Sequence, residues 1–211
     1  MGPTLSAGYA ARVPRDPRPF FTHYDGVADT RIELSGATFA NWVDKTVNLT
    51  DSLGVEPGSR IRLELATSHP GHWVSAVWVA AAWQWGCEVV LEGPADLVVG
   101  GPDVVADGVA TVACSLHPLG LPLAVVPEGC TDYSEVFGEP DVHQAAASPT
   151  SMAGVRARSD RVLFVDPIPG WGTIHDLVAA PLAGGGSTVV VTHATPGLVA
   201  RVREQERISG A

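Results

Sequence analysis

The sequence predicts an α/β domain, an open three-layer α/β/α arrangement around a mostly parallel sheet. Two stretches carry that prediction. From Ile61 to Leu91 an alternating strand, an apolar helix and a short apolar strand follow one another within about thirty residues, the length of a βαβ crossover. From Arg161 to Arg207 the order strand, helix, strand returns and closes with a further helix. A chain of 211 residues, 45% apolar and 17% charged, suits one domain that buries roughly 70% of its unfolded surface.

The elements follow from their periods. Met1 to Phe20 holds three arginines, four prolines and no apolar run of signal-peptide length, so it reads as a mobile tail before a single domain over 21–211. Phe39, Trp42, Val43, Val47 and Leu49 recur at three- and four-residue steps, with Asn41, Asp44, Lys45 and Asn48 between them; this predicts an amphipathic helix capped by Ser35 or Thr38. Gly54 and Pro57-Gly58 stop it. Ile61, Leu63 and Leu65 alternate with Arg62 and Glu64 as a strand, and Trp73 to Trp85 is an apolar helix ended by Gly86 before Val89-Val90-Leu91. Leu97-Val98-Val99 and Leu123-Ala124-Val125-Val126 are expected as further strands, with the Pro- and Gly-rich stretch between them as loop. Arg161 to Val165 is a strand, Ile174 to Leu182 a helix, Gly184-Gly185-Gly186 a turn, Thr188 to Thr192 a strand and Pro196 to about Arg207 a helix.

Charge and composition exclude several functions. Thirteen basic against twenty-three acidic residues give a net charge of −10, the wrong sign for a nucleic-acid surface. The thirteen residues of Trp73 to Trp85 span about 20 Å as a helix, short of the roughly 30 Å hydrocarbon layer, so no membrane span is expected. Cys87, Cys114 and Cys130 form neither a disulfide framework nor a metal knuckle, which points to reduced thiols and a cytoplasmic location. His69 and His72 are separated by Pro70-Gly71 with no third ligand nearby, so no metal site is expected.

Phe39-Ala40-Asn41-Trp42-Val43, Leu53-Gly54-Val55-Glu56-Pro57-Gly58-Ser59-Arg60-Ile61, Ser68-His69-Pro70 and the helix ending in Gly86-Cys87-Glu88-Val89-Val90 together resemble the opening of the adenylate-forming superfamily. That superfamily comprises acyl-CoA synthetases, nonribosomal-peptide adenylation domains and luciferases. Asp160-Arg161-Val162-Leu163, Pro167, Pro181-Leu182-Ala183-Gly184-Gly185 and Thr188-Val189-Val190-Val191 resemble a second block of it, and Leu198 to Ile208 is similar to the helix that follows there. The collinear set covers about residues 20 to 208, and its layout resembles a family of small bacterial proteins related to the N-terminal part of those enzymes.

The resemblance implies a phosphate-binding loop before Arg161, ending in Pro-Lys. The nearest segment, Ser148, Thr150, Ser151 and Gly154 followed by Arg156 and Arg158, has hydroxyls but no lysine. The one lysine, Lys45, falls on the polar face of the first helix. The superfamily's Y-x-x-[ST]-E, its ribose-binding Asp and a mobile domain with a second catalytic Lys would all fall beyond Ala211. An adenylation transition state needs preorganised cations, so the resemblance implies a non-catalytic, truncated relative with no catalytic residues and no assigned cofactor, one in which ATP, AMP or CoA would not be turned over. The alternative is residual AMP-forming ligase activity completed in trans by another chain.

Aligned on Pro167 and Pro181, Pro169-Gly170-Trp171 stands where the superfamily has its acyl-pocket Phe-His. Asp166 follows a strand and His175 opens the next helix, where open α/β sheets place ligands. Asp166, Gly170, Trp171 and His175 are therefore the candidate ligand residues, for a small acyl- or nucleotide-like molecule. The face that the missing half would cover implies a homodimer or a protein partner.

Overall fold

A computed structural model describes residues 13–145 and 155–208. The class is α/β with parallel sheets, as expected, but the strands divide between two sheets rather than forming one. The first sheet has the order β2-β1-β9-β8, from β1 (Pro19–Asp25), β2 (Thr30–Ser35), β8 (Arg161–Val165) and β9 (Ser187–Thr192). Its β1–β2 pair is antiparallel; β9 runs parallel to both β1 and β8. The second sheet is wholly parallel, β4-β3-β5-β6-β7, from β3 (Arg60–Leu63), β4 (Glu88–Val90), β5 (Leu97–Gly100), β6 (Ala110–Ala113) and β7 (Thr131–Asp132).

Two helices fill the space between the sheets. Helix α1 (Gly36–Ser52) starts where the Ser35 hydroxyl accepts the Thr38 N–H, the cap read from the sequence. A short helix α2 (Glu64–Ser68) then leads to α3 (Trp73–Trp85), which begins on His72 and ends on Gly86 in the left-handed region at φ 76°. Every residue of α3 except Trp85 is buried. The helix packs on β3 and β4 of one sheet, β1 of the other, and α1. Beyond β8, α4 (Trp171–Ile174), a π-helical turn over His175–Ala179 and α5 (Ala180–Gly184) continue as one helical stretch. On the outer face of the first sheet α6 (Pro196–Gln205) lays Leu198 and Val202 against Tyr24, Val189 and Val191.

Four local expectations change. The fold begins before residue 21: Val13 and Phe20 are 2% and 5% exposed, and Phe20 lies within β1. Burying the Phe20 ring needs the β1–β2 hairpin, which the proline-rich start concealed. Leu65 belongs to α2 rather than to a strand, because the Thr67 and Ser68 hydroxyls both donate to the Glu64 carbonyl and close a helical turn. Leu123 to Val126 is not a strand: the Leu123 N–H donates to the Asp132 carboxylate, and Val125 is 81% exposed. The strand there is β6, within the stretch read as loop. It pairs Val98 with Thr111 and Val99 with Val112, so the second sheet gains a central strand.

The register of the first sheet depends on a close approach at Gly26. Its N–H donates to the Thr192 carbonyl at 2.9 Å, and a Cβ there would stand 2.2 Å from the His193 carbonyl oxygen. We expect Gly26→Ala to lower stability by roughly 1–3 kcal/mol, because backbone rather than a flexible side chain must move. Gly138→Ala, where a Cβ meets nothing within 4 Å, should change it by no more than about 0.5 kcal/mol. Urea denaturation of the two variants beside the parent checks the contrast.

Candidate functional site

The polar residues near the ends of the strands form two separate places. At the first, Gly170 (φ 138°) caps α4, and Trp171 and His175 stand one helical turn apart with ring centroids 6.3 Å apart, edge to face. The indole is 42% exposed. On one side it borders an open groove of about 450 Å³, whose walls include His175, Trp83 and Cys87; on the other lies a hollow of about 500 Å³ over Val90 and Glu92. Glu88 and Val89 of edge strand β4 line both. Trp171 thus partitions a shallow surface beside an edge strand. Burial pushes the Cys87 thiol up to about 11, so the thiol at this groove stays protonated.

The second place lies at the carboxyl ends of β1, β8 and β9. A cavity of about 200 Å³ is lined there by His23, Asp25, His69, His72, Asp166 and His193, among others. Asp166 and His193 both hold left-handed backbone, at φ 41° and 52°. The Asp166 carboxylate accepts the Ala194 N–H at 3.3 Å. The Asp25 carboxylate accepts the N–H groups of Val27 and Ala28 at 2.8 and 2.9 Å and faces His193 Nδ1 at 3.2 Å. Burial opposes its charge, but those three donors hold it below the usual carboxylate range.

The structure therefore separates the residues that the sequence grouped. Trp171 and His175 share the groove, Gly170 supplies the turn that leads to them, and Asp166 belongs to the cavity. Ser148, Thr150, Ser151 and Gly154 lie outside the described residues; Arg156 is described and exposed. Arg158 turns inward, its guanidinium 5.2 Å over the Phe164 ring and donating to Thr188 Oγ1 at 2.8 Å. The Lys45 ammonium donates to the Glu139 carbonyl and lies within 3.5 Å of that of Phe137. His23, Asp25 and His193 escaped the sequence reading because positions 23 and 193 meet only through β1–β9 pairing. The available signal was the placing of polar residues at the ends of apolar strands. Among the described residues no three His, Cys, Asp or Glu side chains converge to hold a metal ion, and no helix is long and apolar enough to cross a membrane.

Two sheets clasping a common helical layer, with polar residues where parallel strands end, define the fold of the N-terminal part of adenylate-forming enzymes. The chain superposes on an acyl-CoA synthetase from Brucella canis with a TM-score of 0.74 at 17% identity, covering 99% of this chain and 47% of that one. It matches an acetoacetyl-CoA synthetase from Streptomyces lividans with a TM-score of 0.63 at 16% identity, covering 97% and 41%. The chain thus spans about half the length of these enzymes. It is also 32% identical over 222 residues to a TIGR03089 family protein of Mycobacterium tuberculosis, covering 90% of each, and it belongs to that TIGR03089 family. No family model matches the chain.

Buried histidines make stability depend on pH. Burial lowers His23 to about 4 and His72 to about 3, from 6.5 in the unfolded chain. Below pH 6.5 the unfolded state binds protons that the folded state refuses, so this contribution is whole above that pH and is lost as pH falls toward 4. For His23 the loss is on the order of 3 kcal/mol. We expect urea midpoints to fall from pH 7 to 4.5, and His23→Gln to remove about one proton from the slope. Equal midpoints across that range would contradict the burial argument.

Proposed function

We propose that the protein is a non-catalytic relative of acyl-CoA synthetases that binds a small acyl- or nucleotide-like ligand against Trp171 and His175, within a single domain and in the cytoplasm. One observation carries this reading. The chain has a single lysine, and its ammonium is committed to backbone carbonyls at 137 and 139. A departing diphosphate needs fixed positive charge held in place before the reaction, and among the described residues neither lysine nor arginine lines the groove or the hollow beside Trp171. The acyl-CoA synthetases to which the chain is similar in fold are the source of the ligand class. Glu88 and Glu92 at the rim favour the uncharged part of such a ligand, an acyl chain or a flat ring laid on the indole.

Exposed apolar side chains at the end of β8 and just after it favour a second feature of the same reading, a homodimer. Val165 is 41% and Ile168 77% exposed, and β8 is an unpaired edge of its sheet. A second copy seated there would cover Ile168 and complete one wall of the groove. The free thiols of Cys87, Cys114 and Cys130 agree with a reducing compartment.

We expect pyrophosphate exchange with ATP to stay at background over a panel of carboxylic acids, ATP, AMP, CoA or an acyl-adenylate to quench the tryptophan fluorescence, and Trp171→Ala to weaken that binding about tenfold or more. Robust exchange by the isolated protein would replace this reading with a ligase activity. Sedimentation of Ile168→Asp as a monomer, beside a dimeric parent, would support the homodimer.

A further inference from the structure

The cavity at the carboxyl ends of β1, β8 and β9 is lined by imidazoles whose proton positions follow from their partners. Ionised Asp25 only accepts, so His193 turns an Nδ1–H toward it at 3.2 Å. The Ser68 hydroxyl donates to the Glu64 carbonyl at 2.9 Å, so toward His69 it accepts; His69 is protonated on Nδ1, which it meets at 3.0 Å, and Nε2 is left as an acceptor. His23 Nε2 meets the Thr192 hydroxyl at 2.9 Å, and that oxygen lies 3.4 Å from the Tyr24 carbonyl. His72 is closed at both nitrogens, accepting from the Val74 N–H and donating to the Leu116 carbonyl.

The rings of His23, His69 and His193 line the same space as the carboxylates of Asp25 and Asp166. Burial disfavours the charged forms of His23, His69 and His72, whereas three donors hold Asp25 ionised. Such a wall repels the negative charge of carboxylate and phosphate. It suits a compact cation that carries several N–H groups. The volume, about 200 Å³, is below the 300–1,000 Å³ typical of drug-sized ligands, so only a few heavy atoms fit. Strain points to the same place: Asp166 and His193, in adjoining segments after β8 and β9, both hold left-handed backbone, which costs roughly 1 kcal/mol or more each and gathers at ligand clamps.

We propose that this cavity is a binding site for a small primary-ammonium compound, distinct from the Trp171 groove and independent of what that groove holds. The ammonium pairs with the Asp25 and Asp166 carboxylates, and its remaining N–H is taken up by an imidazole of the wall. A metal ion is the rival cation, but among the described residues no three of these groups converge to hold one.

The test is a titration of the full chain, at pH 7.5, with ethanolamine, propane-1,3-diamine, acetate, inorganic phosphate and zinc ion in separate arms, read by histidine imidazole NMR resonances and by Tm. The amines are expected to shift the resonances of His23, His69 and His193 and to raise Tm. Asp166→Asn, chosen because Asn tolerates a left-handed backbone, should raise the amine Kd at least tenfold, whereas Glu128→Gln on the surface should leave it unchanged. Equal or larger shifts with acetate or phosphate would overturn the proposal, as would saturation by zinc with no response to the amines. Silence in every arm would overturn it too.

Discussion

A helix that is apolar on every side cannot rest on the surface of a sheet. Helix α3 places tryptophan, valine or alanine at nearly every position, and from Trp73 to Gln84 all of its side chains are buried. Its cover comes from β3 and β4 below, β1 above, α1 alongside and the π-helical turn at His175–Ala179. Two sheets are therefore required, not one, and a single apolar cluster runs from Phe21 and Val190 in the first to Ile61, Leu97 and Val112 in the second. Of the polar atoms drawn into this layer, Trp73 Nε1 and Gln84 Oε1 find no hydrogen-bond partner among the described residues, while others are tied. The Ser75 hydroxyl donates to the His69 carbonyl at 3.0 Å, and the Gln84 amide donates to Asp44 at 2.7 Å and to the Gln144 carbonyl at 2.8 Å.

That clamp also positions the groove and the cavity. Gly71, in the turn that enters α3, comes so near β9 that a Cβ would stand 2.7 Å from a Val190 methyl. The approach brings His69 and His72 over the ends of β1 and β9, beside His23 and His193. At the other end of the helix Trp83 and Cys87 form a wall opposite His175. One rigid helix thus builds one wall of each place, and the charges differ as the chemistry of each requires. The cavity gathers acceptors, and the groove presents a bare indole between apolar residues and rim carboxylates. The cations are drawn elsewhere, Arg31 and Arg161 to Glu206 and Lys45 to the carbonyl of Glu139.

Residues whose burial follows from local pattern were legible in the sequence. Ser35, the span from Trp73 to Trp85 and the stop at Gly86 all stand as their periodicity implies, because cap chemistry and a continuous apolar run act within one element. The β1–β2 hairpin was not legible: Phe20 and Phe21 follow four prolines, and only pairing with β9, some 170 residues away, gives them a core. Val125-Val126 has the composition of a strand but no neighbouring edge to join, since β7 already occupies the end of the sheet. For the sites, Trp171 and His175 were legible as neighbours because one helical turn joins them. Asp166 was assigned to them by proximity in sequence, although its backbone bond to Val191 turns it toward His193.

The claim at the centre of this account is that α3 joins both sheets into one cooperative unit. Native-state hydrogen exchange across a denaturant series tests it most directly. The slowest amides of α3, of β1 and β9, and of β3 and β5 are expected to converge on a single opening free energy and a single denaturant dependence. Two separate isotherms, with one sheet exchanging by an opening that leaves α3 and the other sheet protected, would contradict it.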